Sequence, residues 1–155
     1  MAGPAIAQAA KDDLPQVREL LREYAAGVGV PLDFQDFDRE VAELPGAYAP
    51  PLGALLVARS SDTLAGCVAL RPLDDETCEM KRLFVRASAR GLGLGEKLAL
   101  AVIAQARALG YRHMRLDTMP SMSAAQGLYE RLGFRDIAPY TTNPVAGTRF
   151  LELDL

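Results

Sequence analysis

The stretch Arg90-Gly91-Leu92-Gly93-Leu94-Gly95-Glu96 decides how this chain is organised. It follows an apolar run that ends at Leu83-Phe84-Val85 and leads into a segment with helical spacing from Glu96 to Leu109. Alternating glycines between a strand and a helix leave neighbouring backbone N–H groups uncovered, and the start of the helix adds partial positive charge. The turn therefore predicts an anion site that suits phosphate, with Arg90 placed to pair with a second phosphate oxygen.

The bulk composition narrows the class of protein. The 155 residues are half hydrophobic and about a quarter charged, which predicts one globular domain over residues 1–155. A net charge of −3 with dispersed Lys and Arg gives no footprint for nucleic acid. No stretch reaches the roughly 18 apolar residues that span a bilayer, and the N-terminus lacks a signal-peptide pattern. We expect a cytoplasmic protein that binds neither nucleic acid nor membrane.

Cysteine and histidine are scarce. Cys67 and Cys78 cannot form a disulfide framework and lack metal-ligand spacing. The single histidine, His113, argues against a His-based metal site and against a Ser-His-Asp triad, so we expect no metal. Neither cysteine has a nearby histidine in sequence to activate it. Both are therefore interpreted as small buried hydrophobes, and chemistry through an acyl-cysteine is the disfavoured alternative.

Before the turn, the pattern predicts two helices and then a β-meander. Helical spacing of apolar residues gives way to period-two and continuous apolar runs after a loop rich in proline. The predicted elements are a strand at Ile6–Ala10, a helix capped by Asp12 or Asp13 that ends at Gly27 or Gly29, a second helix capped by Asp33 with Phe34, Phe37, Val41 and Leu44 on one face, an irregular loop from Pro45 to Pro51, and strands at Ala54–Ala58, Leu64–Arg71 and Thr77–Val85.

After the turn, the pattern predicts a strand–helix–strand crossover. The helix stops at Gly110, a strand follows over Arg112–Thr118, and Ser123 with Gln126 is typical of a capping box for a helix over Ala124–Leu132. Phe134–Ala138 and Thr148–Leu155 are predicted to close the sheet. A crossover makes the strands that it joins parallel, so the chain is predicted to be an α/β protein with a mixed sheet.

Three phosphate-binding patterns compete for the glycine turn. A P-loop needs Gly-x-x-x-x-Gly-Lys-Ser/Thr, and the sequence has no such run. The dinucleotide fingerprint needs Gly-x-Gly-x-x-Gly early in a βαβ unit, whereas the spacing here is Gly-x-Gly-x-Gly after a meander. The third pattern is Arg-x-x-Gly-x-Gly, and Arg90, Gly93 and Gly95 satisfy it.

These residues resemble the GNAT superfamily of acyl-CoA N-acyltransferases, whose pyrophosphate motif is Gln/Arg-x-x-Gly-x-Gly/Ala. Cys78–Val85 is similar to the family's fourth strand, Leu116–Thr118 to the end of its fifth, and Gly127–Phe134 to its second cofactor motif, Leu-Tyr-x-x-x-Gly-Phe. The resemblance covers roughly Thr77–Ala138. It implies a GNAT-like mixed central sheet of about six to seven strands, with an antiparallel meander before the parallel crossover, flanked by about four helices.

The resemblance implies acetyl-CoA, or coenzyme A, bound where the fourth and fifth strands splay apart. Backbone N–H groups of the turn would take the pyrophosphate, and the main chain of the fourth strand would bind the pantetheine like an added strand. The family often has an asparagine where this chain has Met122, and the flanking serines could substitute for it. The implied cofactor-binding residues are Leu83, Phe84, Val85, Arg90, Gly91, Leu92, Gly93, Leu94, Gly95, Glu96, Ser121, Ser123 and Tyr129.

Two residues are predicted to be catalytic. The resemblance implies Tyr129 as the general acid that protonates the departing thiolate, and the alternative is a tyrosine packed between helix and sheet. Glu79 lies where some family members carry a catalytic glutamate and is the candidate base. An amine with a pKa of about 10.4 must lose a proton before it attacks, at a cost of roughly 4 kcal/mol at pH 7.5. The alternatives are a relay through water, or a glutamate paired with Lys81 or Arg82.

The acceptor is predicted to bind opposite the cofactor. Tyr48, Arg71, Lys81, Arg82 and Tyr140 are the candidates, interpreted as exposed polar or aromatic residues. Lys81 and Arg82 are expected on opposite faces of a strand, with one of them free to meet a carboxylate on the substrate.

We therefore predict an N-acetyltransferase that uses acetyl-CoA to acetylate a primary amine of a small molecule by direct attack in a ternary complex. The resemblance implies an oxyanion held by a backbone N–H near Val85. The alternatives are a protein or peptide acceptor, or a non-catalytic CoA-binding domain. Because small domains of this family often pair, a homodimer is also expected.

Overall fold

The computed structural model describes residues 4–29 and 36–155. Within these ranges the chain forms four α-helices and seven β-strands. In chain order they are β1 (Ala5–Gln8), α1 (Leu14–Val28), α2 (Phe37–Ala42), β2 (Ala54–Ser60), β3 (Thr63–Pro72), β4 (Thr77–Val85), α3 (Leu94–Ala108), β5 (His113–Thr118), α4 (Ser123–Arg131), β6 (Arg135–Asp136) and β7 (Arg149–Asp154).

The strands form one mixed sheet in the order β1-β2-β3-β4-β5-β7-β6. Strands β1 to β4 make an antiparallel meander, β4 and β5 are parallel, and β7 pairs antiparallel with both β5 and β6. Alternation along each strand sends side chains to two separate cores. One core packs α3 and α4 against the sheet, and the other packs α1 and α2 against the opposite face. The predicted mixed sheet, with a meander before a parallel crossover, is confirmed.

Several predicted boundaries differ from the observed ones. The predicted cap at Asp33 and the apolar Phe34 lie outside the described residues, and α2 is observed over Phe37–Ala42. The predicted irregular loop contains one 3-10 turn, Gly46–Tyr48, because the Tyr48 N–H donates to the Pro45 carbonyl at 2.8 Å. The predicted strand over Phe134–Ala138 is reduced to Arg135–Asp136.

The predicted capping box at the start of α4 is wrong. Ser123 is the first helical residue, and Met122 occupies the cap position without a side-chain hydrogen bond. The Gln126 amide donates instead to the carbonyl oxygen of Met119 at 2.9 Å. The glutamine therefore fastens the loop before α4 to the helix, which is a tertiary contact that the spacing of residues does not reveal.

The parallel pair β4–β5 opens like a fork. Pairing is confined to Thr77–Glu79 on β4 and His113–Arg115 on β5, and beyond these residues the two strands separate. On its other side β4 carries a bulge, since its register with β3 shifts between Cys67 and Ala69. The fork leaves one side of β4 without a strand partner.

The bulge changes the direction of one side chain. Arg82 has a φ of 61°, a conformation that residues other than glycine rarely adopt. Lys81 pairs with Ala69 of the α1–α2 core, and Arg82 contacts Phe37 of the same core. Lys81 and Arg82 therefore lie on the same face, and the expectation of opposite faces is wrong because the bulge breaks strand alternation.

Of the helices in the described ranges, none has both the length and the apolar character needed to cross a bilayer.

Candidate active site

The glycine turn presents free backbone donors. Gly91 and Gly93 have φ values of 86° and 71°, which glycine adopts without strain, and α3 begins directly after them at Leu94. Within the described part of the chain, the N–H groups of residues 91–96 meet no acceptor, and the first partnered one is Lys97, which donates to the Gly93 carbonyl at 3.2 Å. Neighbouring free donors at the positive end of a helix form an anion-binding site.

A cavity of about 660 Å³ extends from this turn into the fork between β4 and β5. Its outer end is lined by Gly91, Gly93 and Val85, and its inner end by Lys81 and Asp117. The main chain of β4 beside the cavity has lost its β5 partner, so its polar groups on that side are open to an extended ligand.

The predicted cofactor residues gather around this cavity. It is lined by Leu83, Phe84, Val85, Arg90, Gly91, Gly93, Leu94, Gly95, Glu96, Ser121, Ser123 and Tyr129, whereas Leu92 points outward and is 64% exposed. Arg90 does not extend into the turn. Its Nε donates to the Val85 carbonyl at 3.1 Å, and its guanidinium carbon lies 5.9 Å from the Phe84 ring centre.

Tyr129 lies midway along the cavity. Its ring packs against Phe134 with the ring centres 5.6 Å apart, and 7% of the residue is exposed. Burial raises the pKa of the Tyr129 hydroxyl, and Tyr24 and Asp117 act in the same direction. Among residues 4–29 and 36–155 this hydroxyl has no hydrogen-bond partner. A protonated, unpartnered hydroxyl inside a cavity suits a proton donor.

Glu79 is buried and fully engaged. Arg71 Nε donates to Oε1 at 2.7 Å, and the Tyr140 hydroxyl donates to Oε2 at 2.5 Å. Glu79 is 1% exposed and does not line the cavity. Its ion-pair partner is Arg71, the residue opposite it on β3, and neither Lys81 nor Arg82. The Tyr140 ring, in turn, lies 5.6 Å from the Arg115 guanidinium carbon, so these side chains form one network beside the cavity.

Arg82 is also committed to a partner. Its Nε and Nη2 donate to the two carboxylate oxygens of Glu40 at 2.8 and 3.0 Å. Its guanidinium carbon lies 5.6 Å from the Tyr24 ring centre and 5.0 Å from that of Phe37. The expectation that the five acceptor candidates are exposed is wrong. Arg71, Lys81 and Tyr140 are half-buried, and Arg82 and Tyr48 are only 4% and 3% exposed. Both pack into the α1–α2 core, and Glu40 neutralises the arginine.

Lys81 and Asp117 are the charged side chains left at the inner end of the cavity. Lys81 is half-buried, and in the described part of the chain it forms no ion pair. Burial lowers the pKa of Lys81, while Glu79 and Asp117 oppose that shift. Asp117 accepts a hydrogen bond at Oδ2 from the Asn143 amide at 3.0 Å. Lys81 and Arg82 line the cavity, whereas Tyr48, Arg71 and Tyr140 do not.

The sequence interpretation missed Glu40, Asp117 and Asn143. Glu40 and Asn143 approach the site only through tertiary packing, so no local pattern marks them. Asp117 also depends on the fold, because only the β4–β5 register shows that it follows the last paired β5 residue by two positions, as Lys81 does on β4. A parallel register extended past the fork would have placed these two residues opposite each other.

The remaining reactive side chains lie elsewhere. Burial raises the pKa of both the Cys67 and the Cys78 thiol to about 12, which keeps them protonated and poorly nucleophilic. His113, Glu152 and Asp154 come close together, but Arg115 and Arg135 occupy their carboxylates. Guanidinium groups on the same oxygens disfavour a metal ion there, so the cluster is best described as an ion-pair network.

Comparisons with known proteins agree on one family. The acetyltransferase (GNAT) family matches residues 14–134. An uncharacterized N-acetyltransferase of Schizosaccharomyces pombe is 40% identical over 145 residues, which cover 92% of this chain and 89% of the relative. An uncharacterized N-acetyltransferase of Escherichia coli is 30% identical over 86% of this chain and 83% of its own length.

Solved structures share the fold. An acetyltransferase from Streptococcus agalactiae superposes with a TM-score of 0.83 at 23% identity over the whole of both chains. The PaiA N-acetyltransferase from Thermoplasma acidophilum, solved in complex with coenzyme A, has a TM-score of 0.77 at 16% identity over 99% of this chain and 100% of its own. The fold of this chain is therefore that of the GNAT acetyltransferases. This chain belongs to the acetyltransferase (GNAT) family, and it is an acyltransferase.

Proposed function

We propose that this protein transfers the acetyl group of acetyl-CoA to a primary amine of a small molecule by direct attack within a ternary complex. The observation that carries the proposal is the row of unpartnered N–H groups at residues 91–96, at the mouth of a cavity that leads past Tyr129 to Lys81 and Asp117. The row suits the pyrophosphate of coenzyme A. The charged inner end is where an amine acceptor fits.

The fork supports the binding of the pantetheine arm. Beyond Glu79, β4 has no strand on its β5 side, and Leu83 and Val85 line the gap. An extended amide-bearing ligand can add to the free edge of a strand by main-chain hydrogen bonds. The thioester is thereby brought towards Tyr129. Ser121 and Ser123, which flank the Met122 that stands where the family often has an asparagine, border the same space.

Tyr129 is proposed as the general acid. Burial raises the pKa of its hydroxyl, so the proton is present throughout the neutral range. When the C–S bond breaks, the departing sulfur gains negative charge, and the Tyr129 hydroxyl that lines the cavity can donate a proton to it.

The predicted base, Glu79, lacks direct access to the cavity. A general base needs a free lone pair within hydrogen-bond reach of the amine, directly or through one water. Both Glu79 oxygens already accept hydrogen bonds. If Glu79 is the base, the proton has to pass through the Tyr140 hydroxyl or reach a rearranged Arg71–Glu79 pair.

The test is thiol release from acetyl-CoA over a panel of amines, amino acids, polyamines, aminoglycosides and peptides. We expect turnover with small amines, and Tyr129→Phe should lower kcat by about 10²- to 10⁴-fold with little change in the KM for acetyl-CoA. Tyr111→Phe is the matched control, because Tyr111 is buried outside the cavity and its hydroxyl donates to the Leu52 carbonyl.

The other possible results of the thiol-release assay each contradict a different part of the proposal. Full kcat in Tyr129→Phe would remove its role as the acid, and full kcat in Glu79→Gln across pH would remove Glu79 as the base. Turnover restricted to peptides would favour a protein acceptor. Tight binding of acetyl-CoA without thiol release for any amine would contradict catalysis altogether.

A further inference from the structure

Lys81 and Asp117 hold equivalent places on the two arms of the β4–β5 fork. The last paired residues are Glu79 and Arg115, and each charged residue follows its strand's last paired residue by two positions. Side chains two residues apart on a strand share a face. Glu79 and Arg115 both contact Tyr140 on one face of the sheet, so Lys81 and Asp117 point to that same side.

Lys81 and Asp117 line the same inner end of the cavity, and within the described ranges they form no ion pair with each other. Burial lowers the pKa of Lys81, and Glu79 and then Asp117 oppose that shift, so the two charges at this end lie within electrostatic reach of each other. An ammonium and a carboxylate held apart in a half-buried cavity each lack a charged partner, which is costly unless a ligand supplies one.

The neighbouring charged groups are already committed. Glu40 holds Arg82 through two hydrogen bonds, and Glu79 holds Arg71. The Asn143 amide donates to Asp117 Oδ2, and within the described ranges no side chain donates to Oδ1 of this cavity-lining residue. Among the described residues at this end, Lys81 is the available cation and Asp117 the available anion.

We propose that the acceptor is an amino carboxylate, whose ammonium binds Asp117 and whose carboxylate binds Lys81. This inference rests on the proposed function, because it names the substrate of the same cavity. It excludes simple monoamines and polyamines as preferred substrates, since these leave Lys81 without an anion. It also gives Asp117 a catalytic role, as the carboxylate in contact with the reacting nitrogen.

The proton balance follows from that placement. The ammonium gives one proton to Asp117, and the freed lone pair forms the C–N bond at the thioester carbonyl. When the tetrahedral adduct collapses, the C–S bond breaks and Tyr129 gives its proton to the departing sulfur. The nitrogen loses its second proton, which restores Tyr129, and Asp117 returns the first proton to solvent. The products are the N-acetyl amino carboxylate and free coenzyme A.

The first arm of the test needs no variant. Thiol release is measured for amino carboxylates and for their carboxamides, which keep the amine and remove the negative charge. We expect kcat/KM to be about 30-fold or more higher for the carboxylates, as for a desolvated charge pair. Equal values for carboxylate and carboxamide would overturn the inference and leave the proposed function standing.

The second arm separates the two charged residues. Lys81→Met should raise the KM for the amino carboxylate and erase its advantage over the carboxamide, whereas Lys11→Met, an exposed lysine outside the cavity, should keep that advantage. Asp117→Asn keeps the shape and should lower kcat about 100-fold or more on both substrates.

Two further results would count against the inference. A preference for carboxylates that persists in folded Lys81→Met would overturn the assignment of Lys81, and full kcat in folded Asp117→Asn would overturn that of Asp117. Thermal unfolding of each variant establishes that it is folded. Absence of thiol release with every amine, with acetyl-CoA still bound, would instead reject the proposed function and the inference together.

Discussion

The two ends of the cavity are built in different ways. The outer end is a contiguous run of chain in which the main chain of residues 91–96 provides the donors. The inner end is an assembly of side chains from distant segments. Arg82 reaches Glu40 across 42 residues, and Tyr140 reaches Glu79 across 61. A short stretch of glycines is enough to encode a main-chain site. A site made of side chains from distant segments forms only when the whole chain has folded.

The two ends also differ in what their polar groups contribute to stability. The donors of the glycine turn face an open cavity and can be hydrated until a ligand arrives. Arg82 at the inner end and Glu79 behind the cavity wall are 4% and 1% exposed, so each charge depends on its protein partner. Breaking a buried pair leaves an uncompensated charge, which is far more costly than losing a surface pair. Substitutions at the two ends should therefore affect different measurements.

The largest effect is expected at the inner end, for Glu40→Ala. It leaves the buried Arg82 guanidinium without its carboxylate and should lower the free energy of unfolding by about 3–5 kcal/mol, measured by urea denaturation. Glu43→Ala is the matched control, because Glu43 directly follows the same short helix. Its partner Arg39 is exposed, and their side chains are 61% and 74% accessible, so the loss should stay below about 0.5 kcal/mol.

This pair of variants tests whether a buried ion pair stabilises the inner end. If Glu40→Ala costs no more than Glu43→Ala, water reaches Arg82 and the inner end is not held by a buried ion pair. Glu40→Gln sharpens the result, because it keeps hydrogen-bond acceptance at one atom and removes the charge. A loss intermediate between those of the alanine variant and the wild type would assign part of the stabilisation to charge.

The same contrast explains how much of the molecule could be predicted. The glycine turn and the succession of a meander and a crossover follow from local spacing, whereas Tyr129 was implied by the family resemblance. In the structure the turn and Tyr129 line the same cavity. Periodicity reports which face of an element is apolar, and the mixed sheet follows from the meander and the crossover. These features depend on neighbours within one element or one turn, so the sequence contains their signal.

The inner end depends on information that spacing does not carry. The left-handed φ of Arg82 arises from the bulge opposite Val68, and it moves a charge onto the face that alternation had excluded. Glu79 was predicted to be the base, with a pair to Lys81 or Arg82 as the alternative, but its partners are Arg71 on β3 and Tyr140 in a later loop. Such contacts require the register between strands and the path of a loop, which the sequence alone leaves open.

An intermediate effect is expected at the outer end, for Gly93→Ala. The φ of 71° is strained for alanine, and relaxing it would turn the N–H groups away from the pyrophosphate. Loss of one hydrogen bond to a charged group corresponds to about a 10-fold or larger rise in the KM for acetyl-CoA. The KM for the amine should not change, because the proposed acceptor site lies at the other end of the cavity. Steady-state kinetics with each substrate varied in turn separates the two.

Gly110→Ala controls for the backbone penalty. Gly110 has a φ of 90° just beyond the opposite end of α3, and an added Cβ meets nothing within 4 Å there, as at Gly93. Both variants should lose similar stability, but only Gly93→Ala should raise the KM for acetyl-CoA. An equal rise in the KM for acetyl-CoA in both variants would mean that the substitution acts by destabilising α3. The main chain at the outer end would then not be the group that binds the cofactor.

The smallest effect on kcat is expected for substitution of the two cysteines. Cys78 lies at the closed end of the fork, and Cys67 lies opposite the bulge. Cys78 donates its S–H to the His113 carbonyl at 3.5 Å, and Cys67 donates to the Arg82 carbonyl at 3.4 Å. Burial raises the pKa of each thiol to about 12 from 9.0, so at pH 8 the folded thiolate is rarer than the unfolded one by about 10³-fold. Alkylation by iodoacetamide should be slower in the folded protein by a similar factor.

The sign of the pH dependence follows from the same shift. Between pH 9 and 12 an unfolded thiol loses its proton and a folded one keeps it, so the folded state loses stability as the pH rises through this window and is unaffected below it. A thiol that stays protonated cannot accept an acetyl group at neutral pH. Cys67→Ala and Cys78→Ala should therefore keep kcat within about 2-fold. Two results together would contradict direct attack: a large loss of kcat in either folded variant, and acetyl label recovered on the cysteine of the wild type. They would indicate a covalent acyl-cysteine intermediate within the sheet.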